Sequence, residues 1–378
     1  MTGLNRRDVV IGGLCAGVGS SAVAAMPKQS SSLAALGAAK GIRFGSTIGL
    51  KNFEDPAYRA LNARECALVV PETEMKWVAL RPDARRFDFS AADRIVAWSR
   101  ANGLGVRGHT LLWHAERWTP DWVKTYDFGQ HPAVEAERLL TEHIRTVASR
   151  YAPAVDSFDV VNEGINPETG LINETALSRP LGGERTIDLA FRTARAAAPH
   201  AQLVYNDFMS WAADNERHRT AVLRLLEGMK KRGTPIDALG VQSHLGSKFS
   251  DTPTGLGQID ELAWRRFLDE VTGMGLDLLV TELDVHDNPL PTAIGLRDAQ
   301  VAAHTRAYLD LMLSYPQTRT VMCWGLSDRY SWLNDFRPRP DKLPKRPLPF
   351  DAEFRPKPMR DAIAAAFASA TPRPPRRA

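Results

Sequence analysis

Residues 278–284 are Leu278-Leu279-Val280-Thr281-Glu282-Leu283-Asp284. The apolar and β-branched residues at the start of this run predict a buried strand, and charged residues interrupt it toward its end. A helical pattern follows near 296–314. A strand followed by a helix is the repeating unit of proteins that contain parallel sheets, because parallel strands require crossover connections.

The same unit occurs eight times in the chain. Strands are predicted near 43–48, 67–72, 105–112, 157–162, 201–207, 238–244, 278–284 and 320–326. Helices are predicted near 55–64, 90–102, 133–151, 184–198, 214–232, 259–274, 296–314 and 356–368. Eight such units over about 330 residues predict an α/β fold, a single-domain (β/α)8 TIM barrel. Periodicity alone leaves a doubly wound open sheet as an alternative, but no glycine-rich phosphate loop follows the first strand.

The barrel is predicted to span 41–368, and the flanking segments have a different character. Residues 1–25 are typical of a twin-arginine export signal, since Arg6-Arg7 precedes a mild apolar stretch and Ala22-Val23-Ala24 offers a cleavage site. This signal predicts a periplasmic or extracellular protein. Residues 26–40 are expected to be a linker, and 369–378 a basic disordered tail.

Composition excludes several classes of partner. The net charge is only +4 and the charges are interspersed, so no basic stripe favours nucleic acid. No apolar run reaches the roughly 18–20 residues that span a bilayer. Cys66 and Cys323 lie in apolar runs and are expected to be buried free thiols, although the sequence does not exclude a disulfide. No Cys and His spacing indicates a metal site, no cofactor is expected, and the protein is expected to be a monomer.

Active-site residues of such barrels lie at the carboxyl ends of the strands and in the loops that follow. These positions hold carboxylates, amides, imidazoles and indoles: Glu72, Lys76, His109, Trp113, Asn162, Glu163, Asn206, Asp207, Gln242, His244, Glu282, Asp284, Trp324 and Trp332. Indoles pack on the apolar faces of sugar rings, and two carboxylates are the minimum for cleaving a glycosidic bond. The inventory therefore indicates a sugar-cleaving site.

The main hypothesis rests on the ends of the fourth and the seventh predicted strands. Neighbouring strand residues point to opposite sides, so the end of the fourth strand must turn for Asn162 and Glu163 both to face inward. Glu282 and Asp284 share one side of the seventh strand, and His244 on the neighbouring strand is their natural partner. We therefore predict a network of Glu282, His244 and Asp284 that holds Glu282 ionised.

Several motifs at these positions resemble the family 10 glycoside hydrolases, chiefly endo-1,4-β-xylanases. They occur in the family's order between about residues 40 and 368: Val70-Pro71-Glu72-Thr73-Glu74-Met75-Lys76-Trp77, Arg107-Gly108-His109-Thr110-Leu111-Leu112-Trp113-His114, Asp159-Val160-Val161-Asn162-Glu163, Gly240-Val241-Gln242-Ser243-His244, Thr281-Glu282-Leu283-Asp284-Val285, and Trp324-Gly325-Leu326-Ser327-Asp328 with Ser331-Trp332.

The resemblance implies retaining hydrolysis of xylan or xylo-oligosaccharides through a covalent glycosyl-enzyme. Glu163 would be the acid/base and Glu282 the nucleophile, with their carboxyl groups roughly 5–5.5 Å apart. Asn162 would bind the 2-hydroxyl of the sugar. The glycone side of the site would be lined by Glu72, Lys76, His109, Trp113, Gln242 and Trp324, with Trp332 above it.

The chain departs from the family pattern at three places. Thr73 replaces the usual Asn, Glu116 the usual Gln, and Phe208-Met209 the usual Tyr-Asn. Because Thr73 lacks an amide, we hypothesise that sugar binding distal to the cleavage point is altered. If so, a Thr73→Asn variant changes the rate on xylo-oligosaccharides, and an unchanged rate would count against the hypothesis.

Two other functions remain open from the sequence. The first is a glycosidase, endo- or exo-acting, on another β-1,4-linked glycan. The second is a catalytically silent sugar-binding protein, against which the presence of both Glu163 and Glu282 argues.

Overall fold

Eight parallel strands close into a barrel. The computed structural model describes residues 31–246 and 258–374. The barrel strands are β1 (Arg43–Ile48), β2 (Leu68–Pro71), β3 (Gly105–Trp113), β4 (Val155–Asn162), β5 (Gln202–Asp207), β6 (Ala238–Val241), β7 (Asp277–Val285) and β8 (Thr318–Cys323), and a further two-residue strand, His244–Leu245, pairs with the end of β7. Each pairs with its neighbours in sequence, and pairing of β8 with β1 completes the ring. The predicted barrel is thereby confirmed, and the open sheet is excluded.

A long helix follows each strand and covers the outside of the barrel. These are α1 (Pro56–Glu65), α2 (Ser90–Ala101), α3 (Pro132–Tyr151), α4 (Gly183–Ala197), α5 (Glu216–Lys231), α6 (Glu261–Gly273), α7 (Ile294–Leu313) and α8 (Pro358–Ser369). Helix α5 shows how the sequence sets an end: Gly233, just beyond it, has φ +65°, a left-handed conformation that glycine adopts without strain. Shorter helices lie at Leu33–Ala38, Leu50–Phe53, Trp77–Leu80, Glu116–Trp118, Asp121–Lys124, Ser178–Leu181, Ala213–Asn215, Asp328–Tyr330 and Leu333–Phe336.

The folded unit begins earlier than predicted. The segment 26–40 was expected to be a linker, but Leu33–Ala38 is a helix. Leu33 is fully buried, and its backbone N–H donates to the Glu65 carboxylate at 3.1 Å. The spacing of apolar residues in so short a segment carries little signal, which is why the helix escaped prediction. The predicted export signal at 1–25 lies outside the described residues.

The predicted disordered tail is also wrong over its first part. Helix α8 ends at Ser369, and the Arg373 side chain beyond it is buried. Its guanidinium donates to the carbonyls of Leu313 and Thr318, at 2.8 and 3.2 Å, and its backbone N–H donates to Lys40 O at 2.8 Å. Residues 375–378 lie outside the described residues.

The two cysteines of the barrel are buried free thiols, as predicted. Both lie in the apolar interior, where burial raises the pKa of the Cys66 and Cys323 thiols. Within the described ranges, no helix is both long and apolar enough to cross a membrane.

Candidate active site

The polar residues identified at the strand ends gather at one mouth of the barrel, the carboxyl ends of the strands. The most buried polar side chains among them lie on β3, β4, β5, β6 and β7 or directly after them: His109, Asn162, Glu163, Asn206, Asp207, Gln242, Glu282 and Asp284. Charged and amide groups at such depth require partners, because desolvation penalises each of them. Their partners therefore define the site.

Glu163 reaches the site through a turn at the end of β4. Its φ is +55°, and its backbone N–H donates to Asn206 O at 2.9 Å. A left-handed residue other than glycine costs roughly 1 kcal/mol or more and persists only where its surroundings impose it. The turn breaks the alternation of the strand, so that Asn162 and Glu163 can both face the mouth. The sequence predicted a turn of this kind at this point.

Three side-chain amides connect the two glutamates. Gln242 Nε2 donates to Glu163 Oε1 at 3.1 Å and lies 3.2 Å from Asn162 Oδ1. Asn206 Nδ2 lies 2.9 Å from the same Asn162 oxygen and 2.8 Å from Glu282 Oε1. We call Asn162, Asn206 and Gln242 the amide cluster. The cluster therefore holds the carboxylates of Glu163 and Glu282 in a fixed position relative to each other.

Asn206 was noted at a strand end but not assigned to the site from sequence. Thr281 Oγ1 donates to its Oδ1 at 2.7 Å, which orients the amide so that its Nδ2 faces Glu282. The only sequence signal for a role of Asn206 in the site was its position at the end of β5, next to β4.

The environment of Glu163 favours its protonated form. Burial raises the pKa of its carboxyl, and the charges of Asp207 and Glu282 raise it further, while hydrogen bonds from Gln242 and Trp113 oppose the shift. Arg117, which the sequence did not single out, places Nη2 at 3.6 Å from Glu163 Oε2 but is 69% exposed. A solvated guanidinium at this distance is a weak partner. Glu163 is therefore equipped to donate a proton.

Glu282 has a different environment. His244 lies between it and Asp284, with Nε2 at 3.2 Å from Glu282 and Nδ1 at 2.9 Å from Asp284. Burial alone would lower the pKa of His244, but the two carboxylates outweigh it and raise that pKa to about 10. The imidazolium therefore donates to both carboxylates near neutral pH. The three residues meet as the sequence predicted.

Replacing Asp284 by Asn tests this support. The change preserves size but removes the charge that raises the pKa of His244, so His244 loses its proton at lower pH than in the parent protein. We expect activity to fall by at least about tenfold, as when a supporting partner of an active-site histidine is lost, and to fall further as the pH rises. The pH profile of kcat/KM measures this; a uniform loss at every pH would contradict it.

The His109 ring is oriented by Asp159, which is in turn held by Arg107. Its Nδ1 lies 2.9 Å from Asp159 Oδ2, and Arg107 Nη1 donates to the same oxygen at 3.1 Å. Burial opposes ionisation of Asp159, but the Arg107 guanidinium and the hydrogen bond with His109 hold its pKa below the usual range. The other ring nitrogen, Nε2, is thus the one that can contact a ligand. Asp159 was read as a strand residue in the sequence, because its partners lie on a different strand.

An arc of aromatic rings and one cation borders the site on the side of β2, β3 and β8. Lys76 Nζ lies 4.7 Å from the ring centre of Trp113 and 5.6 Å from that of Trp324. Trp113 stacks on Trp118 at 4.5 Å. Trp332 Nε1 donates to Asp284 Oδ2 at 2.7 Å, so this ring is linked to the support of Glu282. The arc supplies flat apolar surfaces and a donor beside the two carboxylates.

The departures from the family pattern have structural partners. Thr73 is exposed, and its hydroxyl donates to Glu74 at 3.1 Å. Glu116 accepts from Ala176 N at 2.9 Å and pairs with Arg179, which ties the loop after β3 to the loop after β4. Phe208 packs on His218 at 4.8 Å, and Met209 is buried. Of these four residues, Thr73 and Phe208 are therefore the two that a ligand can reach and that do not hold two loops together.

Among the residues placed by the structure, no group of three or more His, Cys, Asp or Glu side chains could hold a metal ion. The groups that can act chemically are the two glutamates with their partners. A TIM barrel whose mouth holds a pair of buried glutamates, an amide cluster and indole rings has the architecture of a glycoside hydrolase.

Comparison with known proteins specifies the family. Residues 32–366 match glycosyl hydrolase family 10, and the chain belongs to this family. It is 32% identical over 333 residues to endo-1,4-beta-xylanase 5 of Pyricularia oryzae, covering 86% of this chain and 76% of that one. It is 28% identical to endo-1,4-beta-xylanase B of Thermotoga neapolitana, covering 87% of each chain.

Solved structures agree with this assignment. Xylanase 10B from Thermotoga petrophila in complex with xylobiose superposes with a TM-score of 0.79 at 27% identity, covering 91% of this chain and 99% of that one. Native xylanase 10B from Thermotoga maritima gives a TM-score of 0.78 at 28% identity, covering 89% and 98%.

Proposed function

We propose that this protein is an endo-1,4-β-xylanase that hydrolyses xylan or xylo-oligosaccharides with retention of configuration. The observation that carries the proposal is the pair of buried glutamates joined by the amide cluster and set in opposite electrostatic surroundings. The names of the relatives and the xylobiose complex of a structural neighbour support the choice of substrate.

In the first step Glu163 donates its proton to the glycosidic oxygen. Glu282 attacks the anomeric carbon, the bond to the leaving sugar breaks, and a glycosyl ester forms on Glu282. Esterification removes the negative charge of Glu282, one of the charges that raise the pKa of Glu163. Glu163, now ionised, therefore has less tendency to take its proton back.

In the second step Glu163 accepts a proton from water. The hydroxide equivalent attacks the anomeric carbon, the ester bond breaks, and Glu282 leaves as a carboxylate. His244 and Asn206 both contact Glu282 through N–H groups and stabilise the returning charge. Two displacements at one carbon restore the original configuration.

Product analysis on xylo-oligosaccharides of two to six units tests the function. An endo-acting retaining enzyme releases internal fragments, and proton NMR shows the β-anomer before mutarotation. Release of single units from one end only, or preference for cellulose fragments, would favour a glycosidase on another β-1,4-glycan. Absence of turnover together with binding would favour a sugar-binding protein.

Export is a separate proposal that rests on residues 1–25. Arg6-Arg7, the mild apolar stretch and Ala22-Val23-Ala24 support passage by the twin-arginine route to the periplasm or beyond, where polymeric xylan is accessible. Amino-terminal sequencing of the protein from its host tests it, and an intact Met1 on active protein outside the cytoplasm would contradict cleavage. A monomer is proposed as well, with sedimentation as its test.

A further inference from the structure

A cation at the rim of the mouth faces the acid/base residue. Arg117 belongs to the short helix Glu116–Trp118 in the loop after β3, and its Nη2 lies 3.6 Å from Glu163 Oε2. Among the residues that the structure describes, Arg117 is the only cation within ion-pair distance of this carboxylate. Its side chain is 69% exposed, and over residues 31–246 and 258–374 it makes no hydrogen bond. The guanidinium can therefore move toward Glu163 or away from it.

We propose that Arg117 assists proton donation by Glu163: its guanidinium moves onto the carboxylate as the proton leaves, and moves away when the proton returns. The proposal rests on the xylanase function proposed above, because it concerns the same acid/base. Arg117 exchanges no proton itself. It is a positioning residue that acts through the charge of Glu163.

The backbone on both sides of Arg117 is held in place. The Glu116 carboxylate pairs with Arg179 in the loop after β4. The Trp118 ring stacks on Trp113 at 4.5 Å, and the Arg117 guanidinium lies over the Trp118 ring, 5.4 Å from its centre. These contacts fix the start of the Arg117 side chain, while its guanidinium can alternate between the Trp118 ring and the carboxylate.

The other charged neighbours of Glu163 are mostly negative. The other titratable side chains that face it lie on β5, on β7 and in the loop after β2: Tyr205, Asp207, Glu282 and Lys76. Burial raises the pKa of Glu163, and the charges of Asp207 and Glu282 raise it further. Lys76 is the one cation among these four, and it also interacts with Glu282. The carboxylate that remains on Glu163 after proton transfer therefore lies beside negative charges, and a mobile cation offsets them.

Bound substrate makes the pair of Arg117 and Glu163 stronger than it is in the free protein. Without substrate, water screens the exposed guanidinium and the pair contributes little. A sugar on the leaving-group side displaces water from the space beside Glu163, and opposite charges attract more strongly where water is excluded. The attraction is therefore largest in the complex, at the step in which negative charge develops on Glu163.

The experiment measures pH profiles of Arg117→Gln on xylohexaose. A positive neighbour favours the ionised form of a carboxyl, so its removal raises the pKa of Glu163 and moves the alkaline limb to higher pH. We expect the limb of kcat, which reports the complex, to move by about 0.3–0.7 pH unit, and the limb of kcat/KM, which reports the free protein, to move less. At pH values below the limb, kcat/KM should fall by about two- to fivefold.

A second substrate and two further variants separate the effect of charge from an effect on structure. The first step on 2,4-dinitrophenyl xylobioside requires no proton, so Arg117→Gln should leave kcat/KM on this substrate unchanged. Arg117→Lys keeps the positive charge and should keep the alkaline limb close to that of the parent protein. Arg100→Gln removes the same charge from an exposed position in the last turn of α2, at the opposite end of the barrel, and should change neither profile.

The outcomes distinguish this proposal from the proposed function. A loss on xylohexaose alone, with the alkaline limb of kcat moved upward, supports the role of Arg117. An equal loss on both substrates, an unmoved or lowered limb, or an Arg117→Lys variant that behaves like Arg117→Gln overturns it and leaves the xylanase proposal intact. Lack of wild-type turnover on xylohexaose and on xylan overturns the proposed function itself.

Discussion

A Glu282→Ala variant is expected to lose nearly all turnover, by roughly 10⁴- to 10⁶-fold in kcat, because the covalent intermediate cannot form without the carboxylate. Glu282 is buried and is held in position by hydrogen bonds from Asn206 and His244. Initial rates on 4-nitrophenyl xylobioside measure the loss. Glu282→Gln keeps the shape and hydrogen-bonding frame and should lose a comparable amount.

Chemical rescue separates loss of the nucleophile from loss of structure. In Glu282→Ala the vacated space opens on the face of the sugar opposite the leaving group, so added azide can attack there once. One displacement inverts the anomeric carbon, and the product is an α-xylobiosyl azide. A β-azide, or full activity without azide, would show that Glu282 is not the nucleophile.

The second large effect is expected for Glu163→Ala, and it depends on the leaving group. With xylo-oligosaccharides, whose leaving alkoxide requires a proton, we expect a loss of about 10²- to 10⁴-fold, the usual contribution of general acid catalysis. With a 2,4-dinitrophenyl xylobioside the first step requires no proton, so bond cleavage should stay fast and the glycosyl-enzyme should accumulate. Mass spectrometry of the intact protein detects that species.

The pH profile gives an independent check on Glu163. The raised pKa of this group places the alkaline limb of kcat/KM on xylo-oligosaccharides above the ordinary range of a glutamate, since activity falls as Glu163 loses its proton. The limb should disappear in Glu163→Ala. An equal loss on activated and unactivated substrates, with the alkaline limb intact, would assign the acid to another residue.

The sequence was sufficient for most of the fold because short segments rich in apolar and β-branched residues alternate regularly with longer helical patterns. The predicted strand at 43–48 coincides with β1, and the predicted helix at 133–151 begins one residue late relative to α3. The predictions for the segments that flank the barrel were wrong for a physical reason. Leu33 and Arg373 gain their burial from contacts with Glu65 and Thr318, which are distant in sequence, and local patterns do not record such contacts.

Most residues of the site could be predicted from the sequence, but several of the contacts between them could not. His244 could be paired with Glu282 and Asp284 because strand neighbours follow from barrel order. The contacts of Asn206 with Asn162 and Glu282 depend on the register of β5 against β4. The contact between His109 and Asp159 depends on the pairing of β3 with β4. Register is set by packing of the whole barrel, so residue type alone did not reveal either contact.

The contact between Arg373 and Lys40 has a practical consequence. Both residues lie at the amino ends of the strands, since Lys40 precedes β1 and Arg373 also reaches Thr318 at the start of β8. The segment before β1 and the segment after α8 thus meet on the floor opposite the cleft. A carrier, a solid support or a fused module attached at either end would leave the entrance open to a long polymer, and a short peptide could join the ends in a circular permutant.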